Sequence, residues 1–144
     1  MTLLEDVRRG QQAWLDGRLA DEGADQPAGY VTIAGPFGLP AVRMTDEMRR
    51  GQAAMNANFD GGTNAVVELI ESYVSDDLVV LVMVESSNVR FKSREGNDPW
   101  RLRVTSVFRR EGDTWRAVHR HADPLVHFRP LDQTLELMTG PPDR

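Results

Sequence analysis

The chain has 144 residues, of which 22 are acidic and 17 are basic, and its formal net charge at pH 7 is -5. That charge argues against a nucleic-acid partner, because phosphate binding needs a clustered basic surface. The chain has no cysteines, which excludes disulfides, thiolate metal sites and a cysteine nucleophile. Its length suits a single domain over residues 1–144, with the core expected over about 3–124 and a tail over 125–144.

Neither a targeting signal nor a membrane partner is expected. The opening sequence MTLLEDVRRGQQ carries charges where a signal peptide needs an apolar run. The longest apolar run, Leu78 to Val84, is far shorter than the roughly 20 residues that a membrane-spanning helix requires. Together with the absence of cysteine, these features predict a cytoplasmic protein.

The first part of the chain is predicted to be mainly helical. Apolar residues recur at helical spacing over 3–19, which predicts a first helix. Tyr30 to Ala34 is predicted to be a short strand that Gly35 and Pro36 stop. A second helix is predicted to begin at Thr45 or Asp46, both of which are good N-caps, and to end near residue 58, before Asp60-Gly61-Gly62.

After Gly62 the pattern changes to consecutive strands joined by turn signals. The predicted strands are Asn64–Val74, Leu78–Phe91, Trp100–Arg110 and Thr114–Ala122. In the tail, Leu131, Leu135 and Met138 recur at i, i+4 and i+7 and predict a short packing helix. Helices followed by hairpin-linked strands predict an α+β fold with a mainly antiparallel sheet.

Two registers compete for the last hairpin. A three-residue turn places His119 and His121 on the arginine-bearing face of the sheet, whereas a two-residue Gly112-Asp113 turn places them on the apolar face. We favour the two-residue turn because glycine in first place suits a type II′ turn. It also keeps unpaired charge out of the core by gathering four arginines on one outer face: Arg103, Arg109, Arg116 and Arg120. Both imidazoles are then expected to point inward, with His119 opposite Ser106 and His121 opposite Val104.

The sequence resembles one known family. GPFG at 35–38 and RVTSVFRREGDTWRAVHRHADP at 103–124 are similar to the SnoaL-like branch of the nuclear transport factor 2-like superfamily. The resemblance covers about residues 3–124. It implies a cone-shaped, strongly curved sheet wrapped over N-terminal helices, with a pocket at the wide end and GPFG at its rim. It also implies a homodimer through the outer sheet face, with Arg103, Arg116 or Arg120 at the contact.

The same resemblance argues against one known reaction. Ketosteroid isomerases of this superfamily carry Asp-Pro-x-Gly where this chain has Gly35-Pro36-Phe37-Gly38, and that aspartate is their general base. The position of their oxyanion-holding tyrosine corresponds to Gly10. Neither glycine supplies a functional group, so steroid isomerisation by that route is not expected, because the site and not the fold decides the function.

The histidines carry the candidate chemistry. His119 and His121 form an H-x-H pair with Cα atoms about 6.5–7 Å apart, which is close enough to chelate a metal if Asp123 or Glu85 adds a third ligand. The plainer alternative is a pair of hydrogen-bonded histidines near a pocket, and we expect neither a metal nor a cofactor. If the protein is an enzyme, the preferred acid/base pair is His121 with Asp123 or Glu85.

A row of polar residues is also expected. If the 78–91 hairpin closes symmetrically, Glu85 lies beside Ser106, and Glu85, Ser106 and His119 form a row across three strands. Such a row either activates a nucleophile or is a buried polar network that ties the strands together.

Function is predicted at the level of a ligand pocket. Five apolar residues are candidates for its lining, although core packing is the alternative for each, and Ser106 adds a polar contact: Trp14, Tyr30, Phe37, Phe59 and Met83. The leading hypothesis is a SnoaL-like protein that takes a small, mostly apolar organic molecule and performs acid/base chemistry such as isomerisation, cyclisation, dehydration or hydrolysis. The alternative is a non-catalytic ligand-binding or self-association module.

Overall fold

The computed structural model describes residues 2–16, 31–36, 42–48, 50 and 57–139. The labelled elements are, in chain order, α1 (Leu3–Leu15), β1 (Thr32–Ala34), β2 (Val42–Arg43), β3 (Phe59–Val74), β4 (Leu78–Phe91), β5 (Asn97–Glu111), β6 (Thr114–Asp123) and α2 (Leu131–Thr139). Residues 46–48 and 50 are also helical. The predicted α+β class is confirmed.

The strands form one mixed sheet in the order β2-β1-β6-β5-β4-β3. The short strand β1 pairs in parallel with β6, and every other pairing is antiparallel. Three register shifts interrupt the β3–β4 ladder and one interrupts the β5–β6 ladder. Such irregularities bend strands and increase their twist, so they suit the curved sheet that was expected.

The long strands lie close to their predicted positions, and β4 has the predicted bounds. The main difference is at Asp60-Gly61-Gly62, which was predicted to follow the end of a helix. These residues lie inside β3, where Gly61 has a φ of 88° and the register shifts between Phe59 and Gly62. Glycine here permits a bulge in a strand, which the sequence alone does not distinguish from a stop signal.

The N-terminal helices begin as predicted. Thr2 caps α1, because its hydroxyl accepts from the Glu5 backbone N–H while the Glu5 side chain accepts from the Thr2 N–H. Thr45 caps the second helix by accepting from the backbone N–H of Met48 at 3.2 Å. The first helix ends earlier than predicted, because α1 ends at Leu15 with Asp16 as its C-cap, whereas an end near residue 19 was expected. Residues 57 and 58 form a turn before β3, and residues 51–56 of the predicted second helix, like Tyr30 in the first strand, lie outside the described residues.

The core lies between α1 and the inner face of the sheet. Val7 of α1 packs in one cluster with residues from four strands, among them the fully buried Met83, Val104 and Phe108. A smaller cluster at the far end of α1 joins Leu15 to Phe59 and Val89. The inner face is defined here as the side of the sheet that α1 covers, and the outer face as the opposite side.

The last hairpin has the predicted two-residue turn, with Glu111 opposite Thr114. Gly112 has a φ of 61° and Asp113 has no positive φ, as a type II′ turn requires. The expected pairing beyond the turn is nevertheless wrong. Phe108 pairs with Ala117 but Val107 pairs with His119, so Val118 is the extra residue of a β-bulge. From His119 onward, every side chain of β6 is on the face opposite to the one predicted.

The tail helix was predicted to pack on the domain, and that prediction is wrong. None of the residues of α2 is buried. The i, i+4, i+7 pattern identifies an apolar stripe, but it carries no information on which surface covers that stripe.

Gly62 should be far less tolerant of a side chain than Gly35. A Cβ at Gly62 would collide with the backbone carbonyl oxygen of Asn88 and would lie 2.8 Å from Cδ2 of Leu15, whereas a Cβ at Gly35 meets no atom of the described residues within 4 Å. We expect Gly62→Ala to lower the free energy of unfolding by about 1–3 kcal/mol. Gly35→Ala, the matched control, should change it by less than about 0.5 kcal/mol. Urea denaturation measures both, and equal effects would contradict the close packing of α1 on β3.

Candidate functional site

A buried ion pair lies on the inner face of the sheet. Glu85 of β4 is only 8% exposed. Arg120 of β6 donates to both of its carboxylate oxygens, from Nη1 to Oε1 at 3.0 Å and from Nη2 to Oε2 at 2.7 Å. The Arg120 side chain is itself 18% exposed. The two parallel hydrogen bonds fix the relative position of β4 and β6 across the intervening β5.

The bulge at Val118 brings Arg120 to this position. Side chains alternate between faces along a strand, so Glu85 lies inside together with the buried Met83 and Ser87. Without the bulge Arg120 would lie on the outer face; with it, Arg120 pairs in register with the inward-facing Ser106. The prediction that Arg120 lies on an outer arginine face is therefore wrong. The prediction assumed that Arg120 has no acidic partner, whereas the carboxylate of Glu85 neutralises its charge.

Two buried hydroxyls accompany the ion pair. Ser106 is fully buried and Ser87 is 5% exposed, and both belong to the inner face. In the part of the chain that the structure describes, neither hydroxyl has a hydrogen-bond partner. A buried hydroxyl without a partner costs about 1–3 kcal/mol, so each of these two calls for an explanation.

The predicted row of Glu85, Ser106 and His119 does not form. Ser106 lies opposite Leu81 and Arg120, and Glu85 lies opposite Leu102. The β4–β5 hairpin closes with a register that displaces Glu85 from Ser106 along the strand, and the bulge removes His119 from the inner face. The polar group that faces Glu85 is a guanidinium rather than an imidazole.

Both histidines belong to the outer face, so the prediction that they point inward is wrong. His119 lies opposite Val107, and its Nδ1 is 2.7 Å from the hydroxyl oxygen of Thr32 on β1. His121 lies opposite Thr105, and its side chain is 53% exposed. Among the described residues, no three histidine, aspartate or glutamate side chains are grouped so that they could hold a metal ion.

The preferred acid/base pair is in contact, although not in the predicted place. Nε2 of His121 lies 3.1 Å from Oδ2 of Asp123. Asp123 also accepts two hydrogen bonds from Arg103, at 2.8 and 3.0 Å, and one from the backbone N–H of Leu125. The Arg103 hydrogen bonds are the main reason that the pKa of Asp123 is lowered, with smaller contributions from Leu125 and His121.

The apolar candidates that are described serve as core residues. Trp14 and Phe59 stack face to face, with ring centroids 4.1 Å apart, in the smaller cluster. Met83 is buried in the main core. Tyr30 and Phe37 lie outside the described residues. A groove of about 350 Å³ lies between α1 and β3, lined by Arg8, Gln11, Gln12, Ala65, Val66 and Val67.

The sequence analysis did not predict that Arg120 and Ser87 lie with Glu85 on the inner face of the sheet. A signal for Arg120 was available, because a glutamate at an inward position of a β-rich strand needs a cation. The sequence offered several arginines, and only the bulge decides which of them reaches Glu85. For Ser87, the only sequence signal was the alternation of side chains along β4, which places Ser87 on the same face as Glu85.

Comparisons with known proteins agree on the family. A family model described as the SnoaL-like domain matches residues 29–126. The chain therefore belongs to the SnoaL-like family, as its sequence suggested. A search of curated proteins finds no significant match.

Solved structures with the nuclear transport factor 2-like fold are similar along most of the chain. A proposed dehydratase of this family from Streptomyces avermitilis is 20% identical, with a TM-score of 0.58 over 87% of this chain and 92% of that one. A ketosteroid isomerase-like protein from Erwinia carotovora atroseptica is 15% identical, with a TM-score of 0.57 over 87% and 89%. A nuclear transport factor 2-like protein from Cytophaga hutchinsonii is 10% identical, with a TM-score of 0.56 over 84% and 91%. At these identities the similarity establishes the fold.

Within the described ranges, the helices are all too short or too polar to cross a membrane.

The lowered pKa of Asp123 predicts how its contribution to stability depends on pH. A carboxyl group whose pKa is lower in the folded than in the unfolded protein stabilises the fold at pH values above its unfolded pKa. That contribution is lost as the pH falls through the folded pKa. Asp123→Asn should therefore destabilise the protein near neutrality, and the difference from wild type should shrink as the pH falls below about 4.

Urea denaturation at a series of pH values measures this difference. Asp113→Asn, in the exposed hairpin turn, is the control. A wild-type advantage over Asp123→Asn that stays constant down to the most acidic pH at which the protein folds would contradict the assigned role of Arg103.

Proposed function

We propose that this SnoaL-like protein binds a small, mostly apolar organic molecule that carries one or two hydrogen-bonding oxygens, on the inner face of its sheet. The observation that supports this proposal is the pair of partnerless buried hydroxyls, Ser87 and Ser106, beside the Glu85–Arg120 ion pair. Each hydroxyl can donate to a carbonyl oxygen or accept from a hydroxyl group.

The surroundings suit such a ligand. Ligand sites are mostly apolar, with a few polar groups that fix orientation. The inner face supplies apolar side chains near the serines, including Leu81 and Met83 of β4 and Val104 of β5. The charges of Glu85 and Arg120 cancel each other, so the proposed ligand is neutral. A charged ligand would have to compete with Glu85 or Arg120 for its partner.

Binding without catalysis is the form of this function that we favour. By its resemblance to the ketosteroid isomerases, this chain has Gly35 and Gly10 at the two positions where those enzymes carry a base and a hydroxyl. The imidazoles lie on the outer face, away from the proposed ligand. Glu85 already accepts two hydrogen bonds from Arg120, which occupy both of its carboxylate oxygens.

Acid/base catalysis at His121 is the second candidate, and the 3.1 Å contact with Asp123 supports it. A carboxylate that orients an imidazole is the arrangement a general base requires. An absorbance assay with a 5-ene-3-ketosteroid tests this candidate. The binding proposal expects no turnover by the wild type, and turnover that is lost in His121→Gln would favour the second candidate instead.

Removing a partnerless hydroxyl should not cost stability. We expect Ser106→Ala to leave the free energy of unfolding unchanged or to raise it by about 1 kcal/mol, because the buried hydroxyl loses its hydrogen bond to water on folding without replacement. Thermal and urea denaturation measure the effect. A loss of 1 kcal/mol or more would mean that Ser106 has a structural role, and it would contradict the proposed ligand contact.

Ligand binding can be tested with a matched set of probes: decalin, 2-decalol and 2-decalone. The proposal expects the ketone or the alcohol to bind more tightly than decalin, and Ser106→Ala to weaken that binding about fivefold to tenfold without changing the binding of decalin. Thr105→Ala, on the outer face of the same strand, is the control and should have no effect. Equal affinity of all three probes, or no binding by any, would contradict the proposal.

A further inference from the structure

We propose that the groove between α1 and β3 is a second binding site, which takes a small carboxylate that carries a short apolar chain. The inference is independent of the inner-face ligand, because that ligand is proposed to be neutral and the groove lies at the edge of the sheet. It rests on the single charge in the groove, on the contact that holds this charge in place, and on the apolar residues beside it.

The groove lies where α1 passes the open edge of the sheet. β3 is the last strand of the sheet and pairs only with β4 among the described strands. From α1 the groove receives Arg8, Gln11 and Gln12, which lie at i, i+3 and i+4 and therefore share one face of the helix. Residues 65–67 of β3 form the opposite wall. The volume of about 350 Å³ is at the small end of the range for ligand sites, about 300–1,000 Å³, so the groove suits a small molecule.

The groove carries one positive charge. Arg8 is the only charged residue among the six described residues that line it, and a guanidinium stays protonated in proteins. The carboxylate of Glu5, one turn earlier on α1, accepts a hydrogen bond from the backbone N–H of Thr2. Glu68, next to the groove on β3, lies on the outer face opposite Val84. A ligand with one negative charge therefore meets an electrostatic complement in the groove.

A backbone contact holds the guanidinium of Arg8 in place. Its Nε and Nη2 both donate to the carbonyl oxygen of Val67, at 3.4 and 3.0 Å. A guanidinium has five N–H groups, so Nη1 keeps both of its own for a ligand. Because the side chain is already held, less conformational entropy is lost when an anion binds to it. Hydrogen bonds between a guanidinium and a carboxylate are charge-assisted, so they are stronger than those between neutral groups.

The other groups in the groove fit the rest of such a ligand. The half-buried Gln11 can donate from its carboxamide to the second carboxylate oxygen, whereas the amide nitrogen of Gln12 already donates to Asp16 at 2.9 Å. Val66 is 55% exposed, and together with Ala65 it offers apolar surface to a short chain. A carboxylate fits this groove better than a phosphate monoester, because one guanidinium does not neutralise a dianion.

Three probes of equal chain length test the preference for charge: hexanoate, hexanamide and 1-hexanol. A titration followed by NMR should give a dissociation constant for hexanoate at least fivefold lower than for either neutral probe, because only hexanoate carries the charge that Arg8 complements. Lengthening the chain from butanoate to hexanoate should lower the constant about threefold to fourfold for each added methylene. Equal affinity of the three six-carbon probes, no dependence on chain length, or no binding of hexanoate at millimolar concentrations would contradict the proposal.

Matched substitutions on α1 locate the site. Arg8→Gln should raise the dissociation constant of hexanoate at least fivefold and change that of hexanamide less than twofold, because it removes the charge but keeps a hydrogen-bonding side chain. Arg9→Gln is the control, since Arg9 pairs with Asp6 and does not line the groove, and it should change the constant less than twofold. Equal effects of the two substitutions would mean that hexanoate responds only to the net charge of the protein, which overturns the proposal.

A substitution on β3 leaves Arg8 and its contact with Val67 intact. Val66→Asp places a negative charge on the exposed wall of the groove and should raise the dissociation constant of hexanoate at least tenfold. Val66→Asn, which has the same shape without the charge, should raise it less than threefold. Ser106→Ala, on the inner face, should leave hexanoate binding unchanged. Loss of hexanoate binding in Ser106→Ala, but not in Arg8→Gln or Val66→Asp, would mean that the anion binds on the inner face and that the groove is not a site.

Discussion

The arrangement of the sheet depends on one buried carboxylate. Glu85 occupies an inward position of β4, where an isolated charge would be costly, and Arg120 supplies the cation from two strands away. It can do so only because Val118 is an extra residue in β6. That one residue reverses the faces of everything that follows it, placing Ala122 in the core and His119, His121 and Asp123 on the outer face.

A buried ion pair of this kind is better understood as a constraint than as a source of stability. The cost of removing two charges from water offsets much of their attraction, but removing either partner leaves an uncompensated charge. Slippage of β6 by one residue would withdraw Arg120 from Glu85, so the pair penalises the alternative register. The same packing leaves Ser87 and Ser106 without partners on the inner face, where the proposed ligand would bind. On the outer face, the displaced His119 and His121 join Arg103 and Arg116, which lie there as predicted.

Much of the fold could be predicted from local sequence patterns, and the candidate site could not. The long run of β-branched residues gave the bounds of β4, and glycine in first place gave the turn at Gly112. The bounds of β4 and the turn at Gly112 are both determined by residues that are close together in the sequence. The bulge at Val118 instead brings Arg120 to Glu85, which is more than 30 residues away in the chain. The rule that unpaired arginines stay outside failed because Arg120 is paired. The apolar stripe of α2 was likewise visible in the sequence, but the pattern does not indicate whether any surface covers it, and none of the residues of α2 is buried.

A double-mutant cycle on Glu85 and Arg120 tests the central claim most directly. Glu85→Gln and Arg120→Met should each lower the free energy of unfolding by about 3–5 kcal/mol, and the two losses should fall short of additivity by about 2–3 kcal/mol in the double variant. The cycle separates this coupling from any other contact that Arg120 makes. The exposed pair of Arg94 and Asp98, treated in the same way, should show little coupling. If the effects of Glu85→Gln and Arg120→Met are additive, Arg120 does not reach Glu85, and the inner placement of Arg120 that the bulge provides is wrong.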